Sequence, residues 1–120
     1  MTPLRLLGPV KGKDFNDARV RKFAPEREGV LLQAEQEGQK WRERADLIDG
    51  KVHTWTGQNS AFYLHRVLTS DGASKIVLSL GSDDAIAVWW NGQQVLNKNV
   101  ARGAAANQEM LNLDLVAGDN

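Results

Sequence analysis

Asn91-Gly92 lies between two runs of strand-forming residues, Ile86-Ala87-Val88-Trp89-Trp90 and Gln93-Gln94-Val95-Leu96. The tight two-residue turn that suits the natural twist of paired strands needs positive φ at both central positions, and Asn-Gly meets that need at little steric cost. The dipeptide therefore predicts an antiparallel hairpin. In its first arm Ile86, Val88 and Trp90 are in phase and Trp89 is not. With those three facing inward, Trp89 faces outward.

The rest of the second half reads the same way. Residues 61–69 form a run rich in aromatic and branched types, with Phe62, Leu64 and Leu68 on one pleat and Tyr63, His65 and Val67 on the other. A Ser70-Asp71-Gly72-Ala73 turn follows, and then residues 75–80 alternate with Ile76, Leu78 and Leu80 in phase. Gly81-Ser82-Asp83-Asp84 breaks the chain before the hairpin. After an Ala-rich loop over residues 97–108, Leu111, Leu113 and Leu115 alternate with polar neighbours, which predicts a half-buried strand. Residues 117–120 read as a turn. Short strands at this spacing suggest a sandwich or barrel.

The first half carries most of the charge, and Pro25, Gly29 and Gly38 interrupt any long helix. It reads as loops, with strands at residues 4–7 and 30–32 and a short helix near residues 35–44.

Bulk properties narrow the function classes. A chain of 120 residues fits one domain over residues 1–120. Fifteen basic residues balance fifteen acidic ones, so no long-range field draws a nucleic acid. The absence of cysteine removes disulfides, thiolate metal sites and cysteine nucleophiles. No apolar stretch approaches the roughly 20 residues of a membrane span. The apolar part of residues 1–8 is too short for a signal peptide.

The run Leu80-Gly81-Ser82-Asp83-Asp84-Ala85-Ile86-Ala87-Val88-Trp89-Trp90-Asn91-Gly92-Gln93-Gln94-Val95 resembles the Gly-Ser-Asp-Asp-Gly-x-x-Val-Trp-Leu-Asn-Gly pattern of bacterial galactose-binding-like domains. Further pieces extend the likeness. They are Leu7-Gly8-Pro9-Val10, Phe23-Ala24-Pro25-Glu26, Trp41 with Asp49-Gly50-Lys51-Val52, Ala61-Phe62-Tyr63-Leu64-His65-Arg66, and Arg102 with Gln108. The resemblance implies an all-β antiparallel jelly-roll sandwich serving as an accessory module in a large exported protein, such as a polysaccharide-degrading enzyme or a multi-domain cytochrome. The setting it implies is extracellular or periplasmic. Two residues depart from the pattern: Ala85 replaces the glycine after the Asp pair, and Trp90 replaces a leucine. Ala85 makes positive φ less expected at that position. The family pattern continues with a further Leu-rich strand, so this chain is expected to be a piece lacking its last strand. The neighbouring sheet edge would then be open to a second copy.

Several residues invite a chemical role. Asp83 and Asp84 offer oxygen ligands of the kind Ca²⁺ takes, and a similar layout in protective-antigen-type domains implies an Asp pair that grips calcium and a sugar. Ser and Asp at such a position also cap turns by bonding nearby backbone. An outward Trp89 gives a sugar ring a flat surface to stack on, unless a loop covers it. Trp55, beside Gly57-Gln58-Asn59, is a second stacking candidate or a satellite packing residue. Arg66 and Arg102 either bind a ligand hydroxyl or pair with a carboxylate such as Asp83. His53 and His65 lack metal-ligand spacing. No nucleophile elbow, P-loop or dinucleotide fingerprint is present, nor a recognisable pair of placed carboxylates. The expectation is a non-catalytic carbohydrate- or ligand-binding module, with a spacer or protein-interaction domain as alternative and a small enzyme third.

Overall fold

A computed structural model describes residues 1–100 and 102–120, leaving Ala101 of the Ala-rich loop outside. Strands make up most of the regular structure, and every strand pairing is antiparallel. The expected all-β character holds. The chain divides into two compact units, one of Thr2–Ile48 with His53–Arg66 and one of Met1, Asp49–Val52 and Val67–Asn120. No helix among the described residues is long and apolar enough to cross a membrane.

The first unit is organised by β1 (Arg5–Lys11), which lies between β4 (Arg42–Glu43) and β5 (Ser60–His65). Leu6 and Leu7 are both fully buried, so both faces of this central strand are covered. Leu7, Val10, Phe23 and Trp41 form the core cluster, joined by Leu32, Ala61 and Tyr63. The β1–β5 register slips between Leu7 and Val10, where Gly8 has φ 141°. A side chain at Gly8 would meet the Ala61 carbonyl oxygen at 2.9 Å, which explains the glycine.

Two short helices follow β1. In α1 (Phe15–Val20), Asp14 caps the first turn by accepting from the Asp17 N–H at 2.8 Å, and Asp17 reaches back to the Lys13 N–H at 2.7 Å. That hydrogen bond and Arg21 beside it hold the Asp17 carboxyl below its ordinary pKa. In α2 (Ala24–Glu28), Pro25 occupies the first turn, where its missing N–H costs nothing.

Four expectations need correction, two of them in this half. The helix near residues 35–44 does not form. A tiny hairpin stands there, β2 (Glu35–Gln36) with β3 (Gln39–Lys40), turned by Glu37 (φ 52°) and Gly38 (φ 69°). Positive φ at two adjacent positions suits a hairpin turn and breaks a helix. The strand at residues 30–32 is also absent, because the Leu31 N–H donates to the Gln36 side chain at 3.2 Å instead of to a neighbouring strand. The run 61–69 is two strands and not one. β5 pairs with β1, whereas β6 (Thr69–Ser70) pairs with β11 (Gly118–Asp119) in the other unit. Leu68 and Asn120 exchange backbone hydrogen bonds of 2.8 and 2.9 Å, so residues 117–120, read as a turn, in fact add a short strand.

In the second unit, β7 (Ser74–Leu80) and β10 (Glu109–Leu115) match over seven consecutive residue pairs with no shift. Leu113 and Leu115 are buried on its inner face. β8 (Ile86–Trp90) and β9 (Gln93–Lys98) form the hairpin that Asn91-Gly92 predicts, with φ 48° and 82° at the turn. A bulge at Val95 shifts this register, so Val88 faces Leu96 and Trp89 faces Gln94. The Trp90 indole N–H, half-buried on the inner side, donates to the Asp114 carbonyl at 2.9 Å and so ties the hairpin to β10.

Candidate functional site

The β8–β9 hairpin places Trp89 on its outer face, 41% exposed. Residues directly opposite in an antiparallel pair share a face, so Gln94 stands beside Trp89 and Asn97 beside Ala87. Ala87, the neighbouring residue on this face, is small and exposed. Exposed Val95, at the bulge, borders the patch. No side chain on this face of the hairpin is charged. An indole plane offers stacking, and the two amides offer donors and acceptors side by side.

The other predicted site residues fall elsewhere. Asp84 takes positive φ (63°), one position earlier than the family glycine that Ala85 replaces. Its N–H donates to the Arg102 carbonyl at 2.8 Å, and its Oδ1 accepts from the Arg102 N–H at 3.1 Å. The Ser82 N–H donates to Gln108 Oε1 at 2.8 Å, and the Gln108 amide donates in turn to the Gly103 carbonyl at 2.7 Å. A Cβ on Gly81 would lie 1.6 Å from the Ala105 carbonyl oxygen. The Gly-Ser-Asp-Asp run is thus a clasp that fastens the loop before β10. Asp83 is exposed, and no group of three or more His, Asp or Glu side chains able to hold a metal occurs among the described residues.

Arg102 is committed inside the same clasp. Its guanidinium donates to Glu109 at 2.7 Å, to the Ser82 carbonyl at 3.3 Å and to Ser82 Oγ at 3.2 Å. The carboxylate it pairs with is Glu109, and Lys98 approaches the same group at 3.9 Å. Arg66 is half-buried beyond the end of β5.

Trp55 lies in the first unit. It stacks on Phe62 with ring centroids 5.0 Å apart and planes 29° from parallel, and it is half-buried. Its buried indole N–H meets no acceptor among the described residues. Trp41 is a core residue. His65 packs edge-on against it at 6.3 Å, and burial together with the Arg5 charge lowers the His65 pKa below its ordinary value. His53 Nε2 accepts from the Ile48 N–H at 2.9 Å.

Among the residues singled out from sequence, Trp89 alone presents a broad uncommitted aromatic face. Gln94 and Asn97 were not singled out. Counting back from Asn91-Gly92 finds Gln94, but the bulge that brings Asn97 opposite Ala87 has no sequence signal. No protein-family profile, no curated protein and no solved structure matches this chain.

Proposed function

We propose that the chain is a non-catalytic accessory module that holds a carbohydrate on the outer face of its β8–β9 hairpin. The observation that carries this reading is the exposed indole of Trp89 beside the Gln94 and Asn97 amides. A pyranose presents a C–H face to an aromatic ring while its rim hydroxyls exchange hydrogen bonds with planar amides. One aromatic platform supports weak binding.

The residues that resemble the galactose-binding-like pattern support a jelly-roll arrangement of the sheets and an exported parent protein. In this reading Asp83 and Asp84 fasten a loop and are not a calcium site, because Asp84 already serves the Arg102 backbone. Arg102 likewise acts as a structural cation, and Trp55 as a packing residue.

Intrinsic tryptophan fluorescence titrated with a panel of oligosaccharides tests the proposal. At least one saccharide shifts the emission of the unmodified chain, and Trp89→Ala removes that response while keeping the thermal midpoint. If no saccharide perturbs the emission, the chain is a spacer or protein-interaction domain.

A further inference from the structure

We infer that β7 is a self-pairing edge, through which two copies of the chain join their β7–β10 sheets about a two-fold axis at Val77. The strand order of that sheet is β10–β7, and among the described residues no backbone hydrogen bond involves the other side of β7. A row of free N–H and C=O groups is a template for another strand.

Two other strands in this unit have blunted edges. The β8–β9 pair is bulged at Val95, and a bulge twists an edge away from flat pairing. β10 has its outer side engaged at Asp114, whose carbonyl accepts the Trp90 indole N–H. β7 has neither device. It runs seven residues without proline or register shift, and its one charged residue is Lys75.

Burial points the same way. On the inner face of the sheet, Leu113 and Leu115 of β10 are buried and Leu111 is half-buried, whereas Ile76, Leu78 and Leu80 of β7 are all half-buried.

The sequence of β7 accepts its own copy in one register better than in others. With Val77 opposite Val77, Ile76 faces the second copy's Leu78, and Lys75 faces the second copy's Ser79. Inner residues meet inner residues, all seven positions overlap, and no like charges oppose. A slip of one residue sets the inner face of one copy against the outer face of the other. A register centred on Lys75 opposes two ammonium groups. Val77 itself is 60% exposed and available. The partner is therefore a second copy of this chain, and the product is a four-stranded sheet ordered β10–β7–β7–β10. This pairing stands independently of any sugar bound on the hairpin.

Sedimentation velocity at concentrations up to about 1 mM tests the pairing, since a contact of this modest size binds weakly. The unmodified chain shows a concentration-dependent dimer. Val77→Lys and Val77→Glu, each placing like charges across the axis, are monomers at the same concentrations with thermal midpoints near the original. An equimolar mixture of the two recovers the dimer. A native chain that stays monomeric, or a Val77→Lys chain that dimerises equally well, overturns the proposal. The register has its own check, because the chain has no cysteine. Val77→Cys oxidises to a disulfide dimer at least tenfold faster than Ser79→Cys, whose opposite residue is Lys75. Equal rates contradict pairing centred on Val77.

Discussion

Trp41 donates its indole N–H to Gln36 Oε1 at 2.9 Å, and that bond joins a core aromatic to the small hairpin preceding it. Gln36 is 2% exposed. The same oxygen accepts from the Leu31 N–H at 3.2 Å, and the side-chain amide donates to the Gly29 carbonyl at 2.8 Å. One buried side chain therefore satisfies three groups around an irregular loop. Gln36→Leu removes the partner of all three, and the Trp41 indole N–H is the buried one, where an unpaired group costs about 1–3 kcal/mol. Chemical denaturation is expected to show a loss of about 2 kcal/mol. Gln36→Glu is also destabilising, since it places a charge at a buried site.

Gly81 and Gly72 make a matched pair for testing the clasp. A methyl group at Gly81 collides with the Ala105 carbonyl, whereas one at Gly72 meets nothing within 4 Å. Gly81→Ala is expected to lower stability by about 2 kcal/mol or more, with faster amide exchange over residues 102–108. Gly72→Ala leaves both unchanged.

Arg102 distinguishes a structural cation from a ligand-binding one. It bonds Glu109, Ser82 Oγ and the Ser82 carbonyl at once, and a single lysine ammonium does not span that fork. Arg102→Lys is expected to destabilise by about 1–2 kcal/mol, from partial loss of charge-assisted hydrogen bonds. The Trp89-dependent saccharide response keeps its affinity within about twofold. A large loss of sugar affinity at unchanged stability would place Arg102 in the binding site.

Tyr63 donates its hydroxyl to the Glu26 carboxylate, which ties β5 to α2. Burial first, and then this bond, raises the phenol pKa. Tyr63→Phe leaves a carboxylate without its donor and is expected to cost about 1–2 kcal/mol in denaturant unfolding.

Acid sensitivity follows from two downward shifts. The His65 pKa is lowered in the fold, by burial first and by Arg5 second. The unfolded chain then binds more protons, so this contribution is complete above the unfolded value of about 6.5 and is lost as pH falls through the folded value. The Asp46 pKa is lowered to about 2 by its hydrogen bonds from Arg44. Its contribution is present above the unfolded value of about 3.9 and fades below it. Thermal midpoints measured from pH 7.5 to 5 are expected to decline, and His65→Gln flattens that decline without altering behaviour below pH 4.

Local chemistry made the hairpin legible, because Asn91-Gly92 fixes a turn and the turn fixes which side Trp89 occupies. The alternations of β7 and β10 were legible for the same reason. The bulge at Val95 was not, since nothing in Gln93-Gln94-Val95-Leu96 says which residue is the extra one. An unbulged hairpin would turn Val95 inward and Leu96 outward, the reverse of what is found. The β2–β3 hairpin hid because Glu37 is an unusual residue for positive φ and because Gln36 acts through side-chain bonds that leave no periodic trace. The break after β5 depends on which strands Leu68 and Thr69 meet, and those partners lie about 50 residues away in sequence. The Gly-Ser-Asp-Asp run stood out as a motif, and its packing against Arg102, Gly103, Ala105 and Gln108 gives it a structural role.

The most direct test of the Trp89 face is a two-dimensional ¹⁵N–¹H NMR titration that follows the four tryptophan indole N–H signals as a saccharide is added. The account predicts that the Trp89 indole signal moves saturably, with the Gln94 and Asn97 side-chain amides, while those of Trp41, Trp55 and Trp90 stay in place. Movement of the Trp55 indole with Trp89 unmoved would contradict it, as would a full saccharide panel that shifts none of the four.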